Sequence, residues 1–273
     1  MKINDHNGLQ YISFENIEST GFVNHAFSTS IGGVSKAQYT SLNLGLNTGD
    51  NPECVKENYR RMAEAVGFSC ENIVRANQTH GVGVHVATAG DRGDGFLKQS
   101  SIENVDALIT NQENVVLQTL NADCVPVFLV DPVTRCIGLA HAGWRGTLHE
   151  IAGETVKRMK AEFGANPANM VAAIGPSIGP YAFEVDNGLG EEFCEKFSKY
   201  PVRRVQRGMD SSLVDLWGLN HDTLVQAGLY PENIQIAAMC TYFEISMFYS
   251  HRRMKKLRGS MAAFIEIKSG LSH

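Results

Sequence analysis

Apolar residues recur along this chain with two different periods, and the switches between them mark its elements. After Asn51-Pro52, the residues Val55, Tyr59, Met62 and Val66 fall three and four apart, which predicts a helix with one buried face. Asn51 is placed to cap that helix, Pro52 to sit in its first turn and Gly67 to end it. Residues 115–120, 125–130 and 136–140 are short apolar runs separated by turn formers such as Asp131-Pro132, and they read as strands. Pro126 has no N–H to give to a ladder, so it predicts an edge position or a strand start for the second run. Leu148, Ile151, Ala152, Val156, Met159 and Phe163 form the stripe of one helix that begins after Gly146 and stops at Gly164. A strand at 170–174, a helix marked by Leu189, Phe193 and Phe197, and another marked by Leu216, Leu219, Leu224 and Ala227 follow. Strands at 234–239 and 261–267 complete the pattern.

Helices and strands interleave here without strict βαβ alternation, which favours a mixed α/β (α+β) sandwich over a doubly wound parallel sheet. No linker, repeat or low-complexity tract interrupts residues 1–273, so a single domain is expected. A hydrophobic fraction of 43% and a charged fraction of 19% are ordinary for a chain that buries a core. The net charge of −5 argues against coating nucleic acid, though it leaves room for a local anion site. The polar N-terminus lacks an apolar signal core, and no run is long enough to span a membrane, so a cytoplasmic protein is expected. Six cysteines in this length then read as reduced thiols.

Three segments share one design, an apolar strand that ends in a reactive residue. They are residues 77–81 with His80, 121–125 with Cys124, and 140–146 with His141. Two imidazoles and a thiolate suit zinc, whose catalytic sites take three protein ligands and leave a position open. A bound zinc would hold Cys124 as thiolate and acidify its water. Asp123 could then stand behind the ligands or act as general acid or base. Taken singly, each His is more simply a structural imidazole and the Cys a core thiol; together, ringed by small residues, the metal reading competes.

Further signals are weaker. Arg145 and Gly146 lie at the start of the expected second helix, where free N–H groups would form an anion site; the plainer alternative is a tight turn with Trp144 packed. Ser28 and Asn43 belong to hydroxyl- and glycine-rich stretches that could cradle an anion or a ribose, or simply connect elements. The paired Gly-Pro turns of 173–180 read as a rigid loop or a pocket wall. The basic run from Arg252 to Arg258 reads as a solvated face. His85, five residues after His80, would point to the opposite side of a strand. It is taken as a non-ligand, with His6, His25, His149, His221 and His273.

Taken in order, Gln78-Thr-His-Gly81, Ala122-Asp-Cys-Val-Pro126, Ala140-His-Ala-Gly-Trp-Arg-Gly146 and Ala173-Ile-Gly-Pro-Ser-Ile-Gly-Pro180 resemble a known family. It is the purine nucleoside phosphorylase family once described as laccase-domain or multicopper polyphenol oxidase proteins. Residues 29–35, 41–45, 106–110, Cys240-Thr241 and 248–253 extend the likeness over nearly the whole chain. The resemblance implies a single catalytic domain over 1–273, an α/β/β/α-type sandwich similar to the catalytic domain of cytotoxic necrotizing factor. It implies phosphorolysis of adenosine, inosine and S-methyl-5′-thioadenosine to free base and ribose 1-phosphate, with an adenosine deaminase side activity. It also implies zinc, with copper as the second candidate, on His80, Cys124 and His141. Purine nucleosides and phosphate would then be the partners, and Ser28, Asn43, Arg145 and Gly146 the residues placed to contact them. One departure stands out: the family follows its paired arginines with Asp and later Thr-Gly-Arg, whereas this chain has Met254 and Arg258-Gly-Ser260.

Three rival readings remain. A copper polyphenol oxidase would use His-x-His pairs, which the chain lacks. A metal-free cysteine hydrolase or deamidase would use Cys124 as nucleophile with His80 or His141 as base. A binding module would hold a nucleoside without turnover.

Overall fold

The computed structural model describes residues 1–200 and 204–270. In chain order its strands are β1 (Lys2–His6), β2 (Leu9–Ser13), β3 (Val23–Ser28), β4 (Ile73–Val74), β5 (Val84–Val86), β6 (Ala107–Thr110), β7 (Val116–Asn121) and β8 (Val125–Asp131). They continue as β9 (Cys136–Ala142), β10 (Val171–Ile174), β11 (Glu184–Asp186), β12 (Val205–Arg207), β13 (Ser211–Val214), β14 (Ile234–Ile236) and β15 (Met261–Ile267). The helices are α1 (Glu15–Glu18), α2 (Pro52–Val66), α3 (Trp144–Leu148), α4 (Ile151–Phe163), α5 (Asn187–Lys196), α6 (Leu216–Gln226) and α7 (His251–Met254).

Two six-stranded sheets carry the architecture, ordered β1-β2-β3-β15-β7-β4 and β14-β10-β8-β9-β6-β5. Both are mixed: β4 with β7, β5 with β6 and β10 with β14 run parallel, and the other pairs in these sheets antiparallel. The apolar runs of the sequence are explained by burial on both faces. Along β9, Ile137 and Leu139 face the other sheet, whereas Cys136 and Ala140 face the helices. Along β15, Ala263 and Ile265 point between the sheets, and Ala262 and Phe264 point towards α2. Each fully buried Leu, Ile, Val or Phe contributes roughly 1.5–3 kcal/mol, so alternation onto two cores doubles what one strand brings. The layers therefore run α2, first sheet, second sheet, then α4, α5 and α6, with the small sheet β11-β13-β12 beside these last helices.

The α2 helix forms as its sequence predicts. The Asn51 side chain accepts from the Glu53 N–H, and Gly67 closes the helix at φ 90°. One expectation is resolved and one corrected. Of the two positions open to Pro126 the strand start is the one taken: it is the second residue of β8, which lies inside its sheet between β9 and β10, and its carbonyl accepts from Gly175 N–H at 2.9 Å. The single helix expected after Gly146 is two, α3 and α4, broken at His149 and Glu150, with Glu150 at φ 59°. No helix among the described residues is long and apolar enough to cross a membrane.

Candidate metal and active site

The site assembles where three strand ends meet. His80 lies in the loop before β5, at φ 62°. That loop is pinned at both sides. Gln78 bridges to β7, its Nε2 donating to the Leu120 carbonyl at 3.0 Å and its Oε1 accepting from Leu120 N–H at 2.8 Å. The N–H groups of Thr79, His80 and Gly81 all donate to the Asp106 carboxylate, at 3.0, 2.9 and 2.7 Å. Asp106, which is buried, also stands 2.9 Å from Nδ1 of His141 on β9. A carboxylate only accepts, so Nδ1 carries the proton and Nε2 is left for the centre of the site. One aspartate thus fixes the backbone of the first imidazole and the tautomer of the second.

Cys124 occupies the tight turn from β7 into β8, preceded by Asp123 at φ 81°. The ligand atoms of His80, Cys124 and His141 all lie within 4.8 Å of one another, and the two imidazole rings meet edge to face at 5.0 Å. Gly143 is required here: a Cβ would come within 2.8 Å of His80 Cδ2 and 3.3 Å of Cys124 Sγ. Burial opposes ionisation of Cys124, but the charge of His141 and hydrogen bonds from both imidazoles outweigh it and bring the thiol down to about 6. Burial likewise opposes protonation of His141, which the Cys124 and Asp106 charges overcome, raising it to about 9. Asp106 is held at about 2: burial acts against its charge, while His141 and the loop N–H groups stabilise it. A thiolate and two imidazoles at this spacing fit a metal with bonds of about 2.0–2.3 Å after modest side-chain rotation.

Asp123, expected as an acid, a base or a support for the ligands, has both oxygens engaged. Oδ1 accepts from the Thr241 hydroxyl at 2.6 Å, and Oδ2 from the Ser250 hydroxyl at 3.0 Å and Arg252 N–H at 2.6 Å. It straps the cysteine turn to residues 241–252. The Gly-Pro loop supports the same turn, through Ile178 N–H donating to the Asp123 carbonyl at 2.9 Å. The carboxylate that touches a ligand side chain is Asp106, which sequence reasoning placed only within a shared motif. Its signal was an acid opening the apolar run 107–109, since a charge buried there must have partners.

The other expected residues separate. Arg145 is exposed and stacks over Trp144 at 4.1 Å, and α3 is too short to build a sizeable helix dipole. Gly146 is buried against the Gly81 carbonyl. Ser28 and Asn43 are fully buried, Ser28 accepting from Ala262 N–H at 3.0 Å and Asn43 Oδ1 accepting from Gly45 N–H and Ser260 N–H, each at 2.9 Å. The basic run is not a solvated face throughout: Arg253 donates to the carbonyls of Thr241, Tyr242 and Phe248. His85 stands 3.4 Å from Asp91, and because His80 is not on a strand the opposite-face argument does not apply. His25 is buried and accepts from Phe14 N–H, and His273 lies outside the described residues. A cavity of about 1000 Å³ is lined among others by Arg75, His251 and Arg258, and by Gln78 and Leu120 from the segments that lead to His80 and Cys124.

The profile of the multi-copper polyphenol oxidoreductase laccase family matches residues 24–268. The purine nucleoside phosphorylase YlmD of Bacillus subtilis is 37% identical over 89% of this chain and 87% of its own. The chain belongs to this laccase-domain purine nucleoside phosphorylase family. Within the family, the purine nucleoside phosphorylase YfiH of Escherichia coli is 38% identical over 87% of this chain and 91% of its own. The crystal structure of YlmD from Geobacillus stearothermophilus superposes with a TM-score of 0.91 at 32% identity, covering 97% of this chain and 98% of that one. The mixed α/β fold of this chain is therefore the laccase-domain fold.

Proposed function

We propose that the protein is a zinc-dependent phosphorylase of adenosine, inosine and S-methyl-5′-thioadenosine, with adenosine deamination at the same site. The observation that carries this reading is the His80, Cys124 and His141 cluster, in a chain whose relatives are named purine nucleoside phosphorylases. His80, Cys124 and His141 would hold the metal, which when bound supplies Lewis acidity. Copper on the same donors is the second candidate, and the family profile's description favours testing it.

The chain's own part follows from its geometry. Asp106 fixes His141 and the His80 loop, so two ligands arrive preorganised. Asp123 holds the Cys124 turn against 241–252 and thereby orients the third. In the reaction a phosphate oxygen bonds to the anomeric carbon as the glycosidic C–N bond breaks. The electron pair and the proton of the hydrogen phosphate go to the departing purine, leaving ribose 1-phosphate, or its 5-methylthio counterpart when S-methyl-5′-thioadenosine is the substrate. We further propose that residues 1–273 act as one catalytic unit in the cytoplasm, and that the sandwich is akin to the catalytic domain of cytotoxic necrotizing factor.

The test is release of hypoxanthine from inosine by purified protein, with and without phosphate, alongside metal analysis and a Cys124→Ala control. Phosphate-dependent release that vanishes in the variant supports the reading; base release indifferent to phosphate, or none, sinks it. A second reading draws on the thiol brought down to about 6 beside His141, which suits a cysteine nucleophile. Activity that survives chelation and is lost on alkylation would favour that hydrolase instead.

A further inference from the structure

We propose that Arg258, with His251 and the Ser260 hydroxyl beside it, holds the phosphate co-substrate in the cavity lined by Gln78 and Leu120, from the segments that carry His80 and Cys124. The inference rests on the phosphorylase reading and gives that reaction its anion site.

Phosphate recognition asks for a guanidinium that faces a cavity and is not already neutralised by a carboxylate. Arg258 meets both conditions. It lines the cavity together with His251 and Ser260. Its donors go to the Gly259 carbonyl at 2.9 Å, the Ser260 hydroxyl at 2.9 Å and His251 Nδ1 at 3.4 Å, and none of these is an anion. These contacts hold the planar fork in place and add a hydroxyl and an imidazole at its edge. Burial disfavours the charge of Arg258, and the charges of Asp123 and Cys124 oppose that loss, which puts the guanidinium within electrostatic reach of the cysteine turn.

The rest of the lining agrees in sign. Arg75 donates through Nη2 to the Gly95 carbonyl, and its Nη1 is buried without a partner. Lys256 adds a third cation, whereas the lining's one carboxylate is Glu103; Lys98, also in the lining, is matched by Asp94. An excess of positive charge in a cavity raises the local concentration of a dianion. Arg145 lacks these features: it is exposed, it stacks on Trp144, and it does not line the cavity.

The experiment measures the KM for phosphate and for inosine separately in the zinc-loaded wild type, Arg258→Gln, Arg258→Lys and Arg145→Gln. Calorimetric titration of inorganic phosphate into the same four proteins accompanies it. The expected result is a rise of about ten-fold or more in phosphate KM for Arg258→Gln, with inosine KM within about two-fold and partial recovery in Arg258→Lys. An unchanged phosphate KM in Arg258→Gln overturns the proposal, and so does a rise confined to Arg145→Gln. If Arg258→Gln does not fold, Arg258→Lys decides: the bidentate fork is lost while the charge stays, so its phosphate KM must still rise. A wild type that releases no base defeats the underlying reading instead. The calorimetry then judges the site alone, phosphate binding that weakens in Arg258→Gln supporting it and equal binding in both proteins overturning it.

Discussion

Two buried aspartates flank the cluster, and they do different work. Asp106 sits among the ligands' own atoms, joined to the His141 ring and to the backbone of His80. Asp123 is next in sequence to a ligand, yet its oxygens face hydroxyls and an N–H from the far end of the chain. Sequence adjacency favoured Asp123, whereas three-dimensional contact favours Asp106. The lesson is that a carboxylate tunes a site through the atom it touches, and its place beside a ligand in the chain says little about that.

The comparison can be broken at several strengths. The largest effect belongs to the ligand both aspartates serve. Cys124→Ala should lose bound metal by more than the ~100-fold typical of the strongest outer-partner changes, read by equilibrium dialysis, and base release should fall with it. Next comes a proton background that must be subtracted before either aspartate is titrated. Burial holds His25, neutral and accepting from Phe14 N–H, down to about 4. Its folded value is depressed, so the stability it contributes is complete above the unfolded value near 6.5 and is lost as pH falls from there to about 4. The loss is about 3 kcal/mol, and urea unfolding at pH 7 and pH 4, compared with His25→Asn, measures it.

Asp106→Asn sharpens the contrast directly. An amide cannot accept from His141 and the loop N–H groups as a carboxylate does, so metal affinity should drop about 10–100-fold. Competition with a chromophoric chelator reads this. Asp123→Asn should show the reverse profile, a stability loss of about 1–3 kcal/mol in urea with metal affinity changed less than in Asp106→Asn. Equal metal losses in the two variants would erase the distinction drawn here.

Much of the frame was legible because its signals are local. Asn51, Pro52 and Gly67 bound α2 through contacts within a few residues. The runs of β8, β9 and β15 announce burial on both faces because apolar residues follow one another there without a regular polar alternation. The short N-terminal strands were missed because β1, Lys2–His6, is largely exposed and has no apolar period to find. The break at Glu150, at φ 59°, left no trace because Glu is a good helix former and its contacts with Tyr200 and Lys196 are distant in sequence. At the site, residue types and motif order pointed to His80, Cys124 and His141, whose donor atoms the fold gathers within 4.8 Å of one another. Asn43 and Ser28 matched the same motifs yet are engaged within the fold, since a motif does not reveal which way a side chain's hydrogen bonds run.

The strap on Asp123 also sets a timetable. Arg252, whose N–H closes it, lies 129 residues after Asp123 in the chain. At a synthesis rate of about 5–20 residues per second, the cysteine turn leaves the ribosome on the order of ten seconds before its clamp exists. For that interval a growing chain carries the thiol without the strap that orients its turn, so a site that needs all three side chains in place would be completed only once residues 241–252 have been made.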